Sequence, residues 1–359
     1  MTTTNVPRSL DTYRLLGRSG LRVSPLALGT MTFGTDWGWG SDLDESRRIL
    51  DTYLDRGGNF VDTANVYTGG SSERFIGDLT AGRRDRLVIA TKFSGITRPG
   101  DPNSGGNHRK SIIGSVEQSL RRFDSDYIDL LYLHAWDFTT PVEEIMRALD
   151  DLVRAGKVLY LGISNTPAWQ VARMQTVADL RGWSPLVALQ IEYNLAERTV
   201  ERDLVPMARE LGLGVVPWSP LASGVLTGKY TRDDLALGEG TSGAAGSRKN
   251  VAAANGALTA RSLDIADVVR DIAGATGHSP SQVAIAWTLR NPAVTAPIVG
   301  ARTLAQLEDN LGALDVELDE KDLARLDEAS AVDLGFPHAF LQRDMTREVM
   351  NGGLRIEAR

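Results

Sequence analysis

The segment NFVDTANVYTGG, residues 59–70, decides the fold that we expect for this chain of 359 residues. Its first three residues have the length and apolar character of a buried strand. Asp62 follows that strand directly, and Tyr67 lies five residues further on, in a polar loop that ends in glycines. In a parallel α/β barrel, the groups just past the C-terminal ends of the strands carry out the chemistry. The segment therefore predicts a barrel if the rest of the chain supplies the other strands.

Short apolar strands alternate with amphipathic helices over most of the chain. We predict strands at residues 26–29, 59–61, 86–91, 128–133, 160–163, 186–191, 214–218 and 296–299. Eight alternating βα units predict an α/β fold of the closed (β/α)8 type, a TIM barrel. The competing fold is a doubly wound sheet, which expects a G-x-G-x-x-G turn after its first strand. The segment GTMTFG at residues 29–34 does not match that pattern.

Other elements surround these eight units. An N-terminal β-hairpin is predicted within residues 13–28, with Gly17 and Gly20 in its turn. A long loop follows the seventh strand, and its part at residues 238–257 is rich in glycine and alanine and is expected to be flexible. We expect one barrel domain at residues 13–330 and a tail at 331–359.

Two helix starts carry capping patterns. Thr140 is the predicted N-cap of one helix, with Pro141 at its first position. Thr303 and Gln306 have the spacing of a capping box at the last barrel helix. Both patterns predict where helices begin on the barrel surface.

The composition excludes several classes of protein. The chain has a net charge of −7 and no cysteine, which argues against a nucleic-acid partner and excludes disulfides, thiolate nucleophiles and cysteine-ligated zinc. The N-terminus has no apolar signal region, and the longest uncharged run, residues 211–228, contains two prolines and four glycines. We therefore expect a cytoplasmic protein without a membrane segment. Assembly into a homo-oligomer is left open.

Ionisable groups end three consecutive predicted strands. Asp62 with Tyr67 follows the second strand, Lys92 the third and His134 the fourth. Taken singly, such an Asp or Lys is usually solvated, and a lone Tyr or His usually packs structurally. Together, at neighbouring strand ends of one barrel, they indicate catalysis.

The chemistry that fits these four groups is proton donation to an oxygen. A phenol has a pKa near 10, and an ammonium about 4 Å away stabilises the phenolate by at most roughly 4 kcal/mol. Lys92 is thus expected to lower the pKa of Tyr67, Asp62 to keep Lys92 protonated, and His134 to hydrogen-bond the substrate oxygen. The set contains no nucleophile and no metal site, so a bound cofactor must supply electrons.

The last strands offer a place for such a cofactor. Residues 217–230 supply Ser219, Ser223 and Lys229 in a glycine-containing loop, and residues 297–310 place Arg302 at the start of a helix. In barrels of this type, the loops after the seventh and eighth strands commonly bind phosphate. The alternative for the second segment is a well-capped surface helix with an exposed arginine.

Many ordered motifs give this chain a resemblance to the aldo-keto reductase superfamily, from about residue 13 to residue 330. The motifs are LGTM at Leu28, FVDTANVY at Phe60, IATKF at Ile89, DLLYLH at Asp129, GKVLYLGISN at Gly156, LQIEYNL at Leu189, VVPWSPLASGVLTGKY at Val215 and IVGARTLAQLEDN at Ile298. The resemblance implies an NADPH-dependent oxidoreductase that reduces an aldehyde or ketone substrate to an alcohol. It implies that Tyr67 is the proton donor, that Asp62 and Lys92 tune it, and that His134 orients the carbonyl.

The resemblance also implies a binding site for NADPH or NADP+. Trp218 stands where many members carry Tyr, as in the branch that includes the potassium-channel β subunits, and it is expected to stack on the nicotinamide. The remaining residues implied to bind the cofactor are Gly29, Thr30, Met31, Ser164, Asn165, Gln190, Ser219, Pro220, Leu221, Ser223, Lys229, Arg248, Gly300, Arg302, Gln306, Asp309 and Asn310. Among these, Arg302 is expected to pair with the 2′-phosphate of NADPH and so to favour NADPH over NADH. Arg248 lies in the glycine-rich loop.

Two questions stay open at the level of sequence. A regulatory subunit that senses the NADP redox state, with vestigial reductase activity, is the alternative to an enzyme. The substrate is also not determined. A set of aromatic residues is a candidate apolar pocket, although packing against their own loops is an equally good interpretation; the set is Phe33, Trp37, Trp39, Phe93, Trp136 and Phe336.

Overall fold

The structure is a computed structural model and describes residues 7–237 and 248–354. Its main feature is an eight-stranded parallel sheet in the order β10-β3-β4-β5-β6-β7-β8-β9. The strands are β3 (Ala27–Gly29), β4 (Phe60–Asp62), β5 (Val88–Phe93), β6 (Ile128–Leu133), β7 (Val158–Ser164), β8 (Leu186–Glu192), β9 (Gly214–Trp218) and β10 (Ile298–Gly300). The two ends of the sheet meet where Thr295 N donates to Val215 O at 2.7 Å. The predicted (β/α)8 barrel is therefore confirmed.

Helices cover the outside of the barrel. They are α1 (Leu43–Asp55), α2 (Ser71–Thr80), α3 (Arg109–Phe123), α4 (Val142–Arg154), α5 (Ala168–Arg181), α6 (Leu204–Glu210), α7 (Arg248–Ala254), α8 (Ala260–Thr276), α9 (Pro280–Leu289), α10 (Leu304–Leu311) and α11 (Glu320–Ser330). The tail adds α12 (His338–Leu341) and α13 (Asp344–Asn351). No helix in residues 7–237 and 248–354 is long and apolar enough to cross a membrane.

Strand periodicity separates two apolar layers and orients the site. Alternate residues such as Phe60 and Ala90 pack inside the barrel, whereas their neighbours Val61 and Ile89 pack against the helices. Asp62 therefore shares the interior face with Phe60, and Lys92 shares it with Ala90. Their charged groups enter the barrel because of this two-residue period.

The predicted hairpin, β1 (Arg14–Leu15) and β2 (Arg22–Val23), lies at the N-terminal end of the barrel. Leu16 and Val23 are fully buried and belong to the interior apolar cluster. Gly17 has a φ of +56°, and a Cβ there would lie 2.3 Å from Val187 O. The tight contact between the hairpin turn and the barrel thus requires a glycine.

The two capping predictions were each wrong in one respect. Helix α4 begins at Val142 with Pro141 as its N-cap, because Thr140 Oγ1 donates to Asp137 Oδ2 at 2.7 Å instead. The Thr303 side chain does cap α10, but Gln306 Oε1 accepts from the N–H of Arg302 rather than from that of Thr303. The capping box at α10 is therefore only half formed.

The prediction of a flexible segment at 238–257 was wrong for part of its length. Residues 248–254 form α7, and residues 238–247 lie outside the described residues. The tail beyond residue 330, for which no structure was predicted, contains α12 and α13.

We expect Gly17→Ala to destabilise the protein by about 3 kcal/mol, because positive-φ strain adds to a steric overlap with backbone atoms. Urea denaturation measures the change. The matched control is Gly20→Ala in the same turn, since no atom lies within 4 Å of a Cβ at Gly20. Equal stabilities of the two variants would contradict the proposed packing of the hairpin turn.

Candidate active site

The ammonium group of Lys92 is the centre of the candidate active site. Lys92 Nζ donates to Asp62 Oδ1 at 2.6 Å, to Thr63 O at 2.7 Å and to Tyr67 Oη at 3.3 Å. The Lys92 side chain is fully buried, and that of Asp62 is nearly so. An ammonium has three N–H donors, so all three are used within the protein. The charge of Lys92 is thereby fixed in direction and position.

The second carboxylate oxygen of Asp62 is held from across the barrel. Gln190 Nε2 donates to Asp62 Oδ2 at 2.8 Å. Gln190 was expected to contact the cofactor; its side chain lines the cavity described below and supports Asp62 as well. Strands β4, β5 and β8 thus join in one hydrogen-bond network.

Tyr67 is positioned by a backbone turn with unusual torsion angles. The three residues after it, Thr68, Gly69 and Gly70, have φ values of +46°, +61° and +91°. Thr68 Oγ1 donates to Phe33 O at 2.6 Å and holds the turn against the loop after β3. Positive φ in a non-glycine residue costs energy and is concentrated at functional sites. The turn brings the Tyr67 hydroxyl to Lys92.

Burial and the charge of Lys92 act in opposite directions on the pKa of Tyr67. Burial raises the pKa of Tyr67, and the positive charge of Lys92 opposes that rise without cancelling it. The predicted effect of Lys92, which lowers the pKa of Tyr67, is therefore present, but burial of the phenolate raises the pKa by more. For Lys92, burial acts to lower the pKa, but the charges of Asp62 and Tyr67 outweigh it and the pKa is raised. Lys92 is accordingly a cation at neutral pH.

His134 lies beside Tyr67 with its ring edge-on. The ring centroids are 5.9 Å apart and the planes make an angle of 81°. Burial, reinforced by the charge of Lys92, lowers the pKa of His134 to about 3. The imidazole is therefore neutral and has one N–H donor for a hydrogen bond.

A cavity of about 760 Å³ opens above these groups. Asp62, Tyr67 and His134 line it, whereas Lys92 lies behind them. Of the residues expected to bind the cofactor, the cavity is lined by Gly29, Met31, Asn165, Gln190, Trp218, Ser219, Pro220, Leu221, Ser223, Lys229, Gly300, Arg302, Gln306, Asp309 and Asn310. The structure thus gathers residues from the first, middle and last thirds of the chain around one volume.

Three residues of the expected cofactor set do not line this cavity. Thr30 is buried, and its hydroxyl donates to Asp62 O at 2.9 Å. Ser164 is also buried, and its Oγ has no hydrogen-bond partner among the described residues. Arg248 begins α7, but its side chain lies outside the described part of the structure. Thr30 and Ser164 are therefore buried outside the cavity lining, and only the Ser164 hydroxyl lacks a partner among the described residues.

Several lining residues were missed by the sequence analysis. They are Thr32, Gly224, Thr227, Val251, Asn255, Ser281, Ile298, Val299 and Ala301. Val251 and Asn255 lie in or directly after α7, inside the segment that was predicted to be flexible. Ser281 follows Ser279, the N-cap of α9, and Pro280, its first residue. A serine followed by a proline is a common helix-start pattern, and it could have indicated that the beginning of a helix lies here.

Only two of the six candidate aromatic residues line the cavity. Trp37 and Trp39 do, with ring centroids 5.6 Å apart. Phe33 and Phe93 are fully buried in the layer between strands and helices. Trp136 packs edge-on against Phe138, which supports the alternative of packing within a loop. Phe336 is exposed and contacts Phe340 in the tail.

The loop after β9 contains a run of residues with positive φ. Ser219, Ala222 and Ser223 have φ values of +54°, +46° and +55°, followed by Gly224 at +93°. Ser223 N donates to Ser219 Oγ at 2.8 Å, and a Cβ at Gly224 would lie 3.0 Å from Lys229 Nζ. The N–H groups of Ala222 and Gly224 also donate within the turn, to Ser219 O and Leu221 O. The ammonium of Lys229 lies next to this turn.

Trp218 is fixed in position by Asn165. The indole Nε1 donates to Asn165 Oδ1 at 3.0 Å, and Asn165 Nδ2 donates to His134 O at 2.9 Å. Asn165 has a φ of +44°. Asn165, whose backbone is strained, therefore connects the indole of Trp218 to the backbone of His134.

The far end of the cavity lies at the start of α10. The ion pairs of the described residues do not include Arg302, whose side chain is partly exposed. Asn310 Nδ2 donates to Gly300 O at 3.2 Å, and Asp309 Oδ1 accepts from Gln282 Nε2 at 3.2 Å. Arg302 is therefore the cation at this end that is available to an anionic group.

Comparison with known proteins gives consistent matches. The model of the Aldo/keto reductase family matches residues 25–331. A norsolorinic acid reductase of Aspergillus flavus is 38% identical over 348 residues, covering 93% of this chain and 85% of the relative. An aryl-alcohol dehydrogenase of Pestalotiopsis microspora is 36% identical, with 93% and 86% covered. The oxidoreductase YrpG of Bacillus subtilis, named as uncharacterized, is 40% identical, with 88% and 95% covered.

We expect the ring of His134 to stay neutral when the pH is lowered to about 4, because its pKa is about 3 instead of the ordinary 6.5. The measurement is an NMR titration of the histidine ring resonances, in which His134→Gln identifies the His134 signal by its loss. A His134 resonance that titrates with a midpoint between about 6 and 7 would contradict the burial described above.

Proposed function

This chain belongs to the aldo/keto reductase family, and we propose that it reduces the carbonyl of an aldehyde or ketone to an alcohol with NADPH, with Tyr67 as the general acid. The observation that carries the proposal is the contact of Lys92 Nζ with both Asp62 and Tyr67. It places a fixed positive charge behind the phenol, where negative charge develops when Tyr67 gives up its proton.

The balance of charges suits a proton donor. Burial keeps Tyr67 protonated at neutral pH, so the phenol is present in its acid form. The ammonium of Lys92 stabilises the phenolate that remains after proton transfer, and Asp62 holds the ammonium in place. Reduction of a carbonyl requires a proton at the oxygen, and Tyr67 lines the cavity in which that oxygen would lie.

His134 is proposed to orient the substrate. Its neutral imidazole has one N–H to donate to a carbonyl oxygen, and a pKa of about 3 prevents it from competing with Tyr67 as an acid. Ser94 and Asn165 hold its backbone, because His134 N donates to Ser94 Oγ at 3.1 Å and His134 O accepts from Asn165 Nδ2. Two fixed donors converging on one oxygen are the geometry that carbonyl reduction needs.

The residues of the cavity fit a dinucleotide. Asn165, Gln190 and the unpartnered Ser164 hydroxyl would hold the nicotinamide amide, with Trp218 as the stacking wall. The turn at Ser219–Gly224 and Lys229 would hold the pyrophosphate. When bound, the nicotinamide supplies the hydride that the protein lacks. The cavity of about 760 Å³ is within the range of small-molecule and cofactor sites.

The relatives support an enzyme acting on carbonyl or alcohol groups. Norsolorinic acid reductase and aryl-alcohol dehydrogenase carry those activities in their names. Trp37 and Trp39 line the same cavity as Tyr67 and His134, so the cavity has aromatic surface in addition to the proposed proton donor. The cavity therefore suits an apolar carbonyl compound.

We expect Tyr67→Phe to reduce NADPH-dependent carbonyl reduction by at least about 1,000-fold, because it removes the proton donor and leaves the cavity shape unchanged. The measurement is NADPH oxidation with a panel of aldehydes and ketones. NADPH binding, followed by fluorescence, should change less than about twofold. Tyr13→Phe is the control, because Tyr13 Oη donates to Gly57 O at the other end of the barrel.

Reduction that persists in Tyr67→Phe would contradict the assignment of Tyr67 as the acid. Wild-type protein that binds NADPH but turns over no carbonyl compound in the panel would contradict the enzyme itself and favour a nucleotide-sensing subunit.

We expect Arg302→Leu to weaken NADPH binding by about 10- to 100-fold, which corresponds to about 1.5–3 kcal/mol for a charged hydrogen bond to phosphate. NADH binding should change little, because NADH lacks the 2′-phosphate. Calorimetry with both nucleotides measures the ratio, and Arg173→Leu on the outer helix α5 is the control. Equal losses for NADPH and NADH would contradict this role of Arg302.

A further inference from the structure

A second buried ion pair lies directly behind the Tyr67 turn. Glu73, in the first turn of α2, is fully buried, and Arg122, near the end of α3, is 19% exposed at its side chain. Arg122 Nη1 lies 2.8 Å from Glu73 Oε2. Neither residue lines the cavity, so the pair is separate from the cofactor and substrate surfaces.

Arg122 holds the backbone that leads to Tyr67. The same Nη1 donates to Asn65 O at 2.8 Å, two residues before Tyr67. Gly70, at the end of the Tyr67 turn, has a φ of +91°, and a Cβ there would lie 2.6 Å from Arg122 Cζ. The guanidinium thus touches the turn on both sides of Tyr67, and Gly70 leaves the room that it occupies.

Glu73 holds the strand that carries Lys92. Its second oxygen, Oε1, accepts from Thr91 Oγ1 at 2.6 Å, and Thr91 immediately precedes Lys92 on β5. The backbone of Asn65 also donates to Lys92 O at 3.1 Å. The two ends of the ion pair therefore reach the two chain segments whose separation sets the 3.3 Å contact between Lys92 and Tyr67.

Stability alone is a weak reason for such a pair. Burying two charges costs several kcal/mol in lost hydration, and apolar replacements of buried ion pairs are often neutral or stabilising. What an apolar pair cannot do is fix a carbonyl and a hydroxyl by directed hydrogen bonds. The contacts with Asn65 and Thr91 are of that kind.

We propose that Glu73 and Arg122 are positioning residues that set the distance between Lys92 and Tyr67. This inference rests on the proposed function of Tyr67. It assigns a role in the reaction to two residues outside the cavity, acting through the backbone of residue 65 and the side chain of residue 91. Loss of either charge leaves the other buried without its partner and lets the turn move away from Lys92.

The ion pair between Arg84 and Asp129 provides a matched control. Arg84 Nη2 lies 2.7 Å from Asp129 Oδ2, and both side chains are at most 15% exposed. Asp129 Oδ2 also accepts from Ile89 N at 3.0 Å, near the beginning of β5, whereas Thr91 and Lys92 lie near its end. The two pairs thus resemble each other in chemistry and burial and differ in their distance from Tyr67.

The experiment compares Glu73→Gln, Arg122→Met and the double variant E73Q/R122M with Arg84→Met. We expect kcat to fall about 10- to 100-fold in the first three, the size of effect that a 1 Å misplacement produces, with KM for NADPH changed less than about threefold. Arg84→Met should lose stability and keep kcat within about twofold of the wild-type value. The double variant should be more stable than Arg122→Met, since no buried charge lacks a partner, and should keep the low kcat.

A second readout does not depend on activity. In protein labelled with 13C at tyrosine Cζ, with Tyr67→Phe to assign the signal, Glu73→Gln and Arg122→Met should shift the Tyr67 resonance and raise the pKa of its phenol, because the ammonium lies farther away. Arg84→Met should leave both unchanged.

The outcomes separate the two proposals. A wild-type protein without reductase activity would refute the proposed function, and the Tyr67 resonance would still decide whether the pair positions the phenol. An unchanged Tyr67 resonance in Glu73→Gln and Arg122→Met would overturn the inference. So would a kcat that recovers with stability in the double variant, or an equal loss of kcat in Arg84→Met. If Arg122→Met does not fold, the nearly isosteric Glu73→Gln carries the same test.

Discussion

A buried ammonium has to satisfy three hydrogen bonds at once, and the candidate site is built around that requirement. Lys92 meets it with a carboxylate, a backbone carbonyl and a phenol. Each acceptor comes from β4 or from the residues that follow it. The C-terminal end of β4 must therefore lie in the correct register beside the end of β5, which carries Lys92. The parallel barrel supplies this alignment through its register, in which Asp62 pairs with Ala90. Because the ammonium is buried, the directions of its three N–H groups matter as well as its charge.

Backbone strain is concentrated in the same region of the molecule. Non-glycine residues with positive φ include Ser94, Asn165 and Ser219, each directly after a barrel strand, and Thr68 in the turn that follows Tyr67. Loops that must turn sharply from a strand end toward a shared cavity cannot all use relaxed torsion angles. The hydrogen bonds that hold these loops, such as Asn165 Nδ2 to His134 O, offset the strain. The rigidity of the barrel therefore supports the less favourable geometry at its mouth.

The barrel and the cluster of Asp62, Tyr67, Lys92 and His134 were predictable because they depend on local patterns. Strand length, two-residue periodicity and the residues at strand ends are all visible in the sequence. The lowering effect of Lys92 on the pKa of Tyr67 was predictable, but the larger opposing effect of burial was not, because burial depends on neighbours distant in sequence. The same limit explains Glu73 and Arg122, whose pairing follows from the packing of α2 against α3. Helix α7 was missed since its composition favours flexibility, whereas its position over the cavity is a tertiary property.

The way the barrel closes has a consequence for biosynthesis. Gly29 and Met31 lie near the beginning of the chain, Gly300 and Arg302 lie near its end, and all four face the same cavity. Their strands, β3 and β10, become neighbours only when the last unit joins the first. A nascent chain that has not yet emerged past β10 therefore has Asp62, Tyr67 and Lys92 but only part of the cavity lining. Any ligand that requires the complete cavity would then stabilise closed molecules and not partial ones.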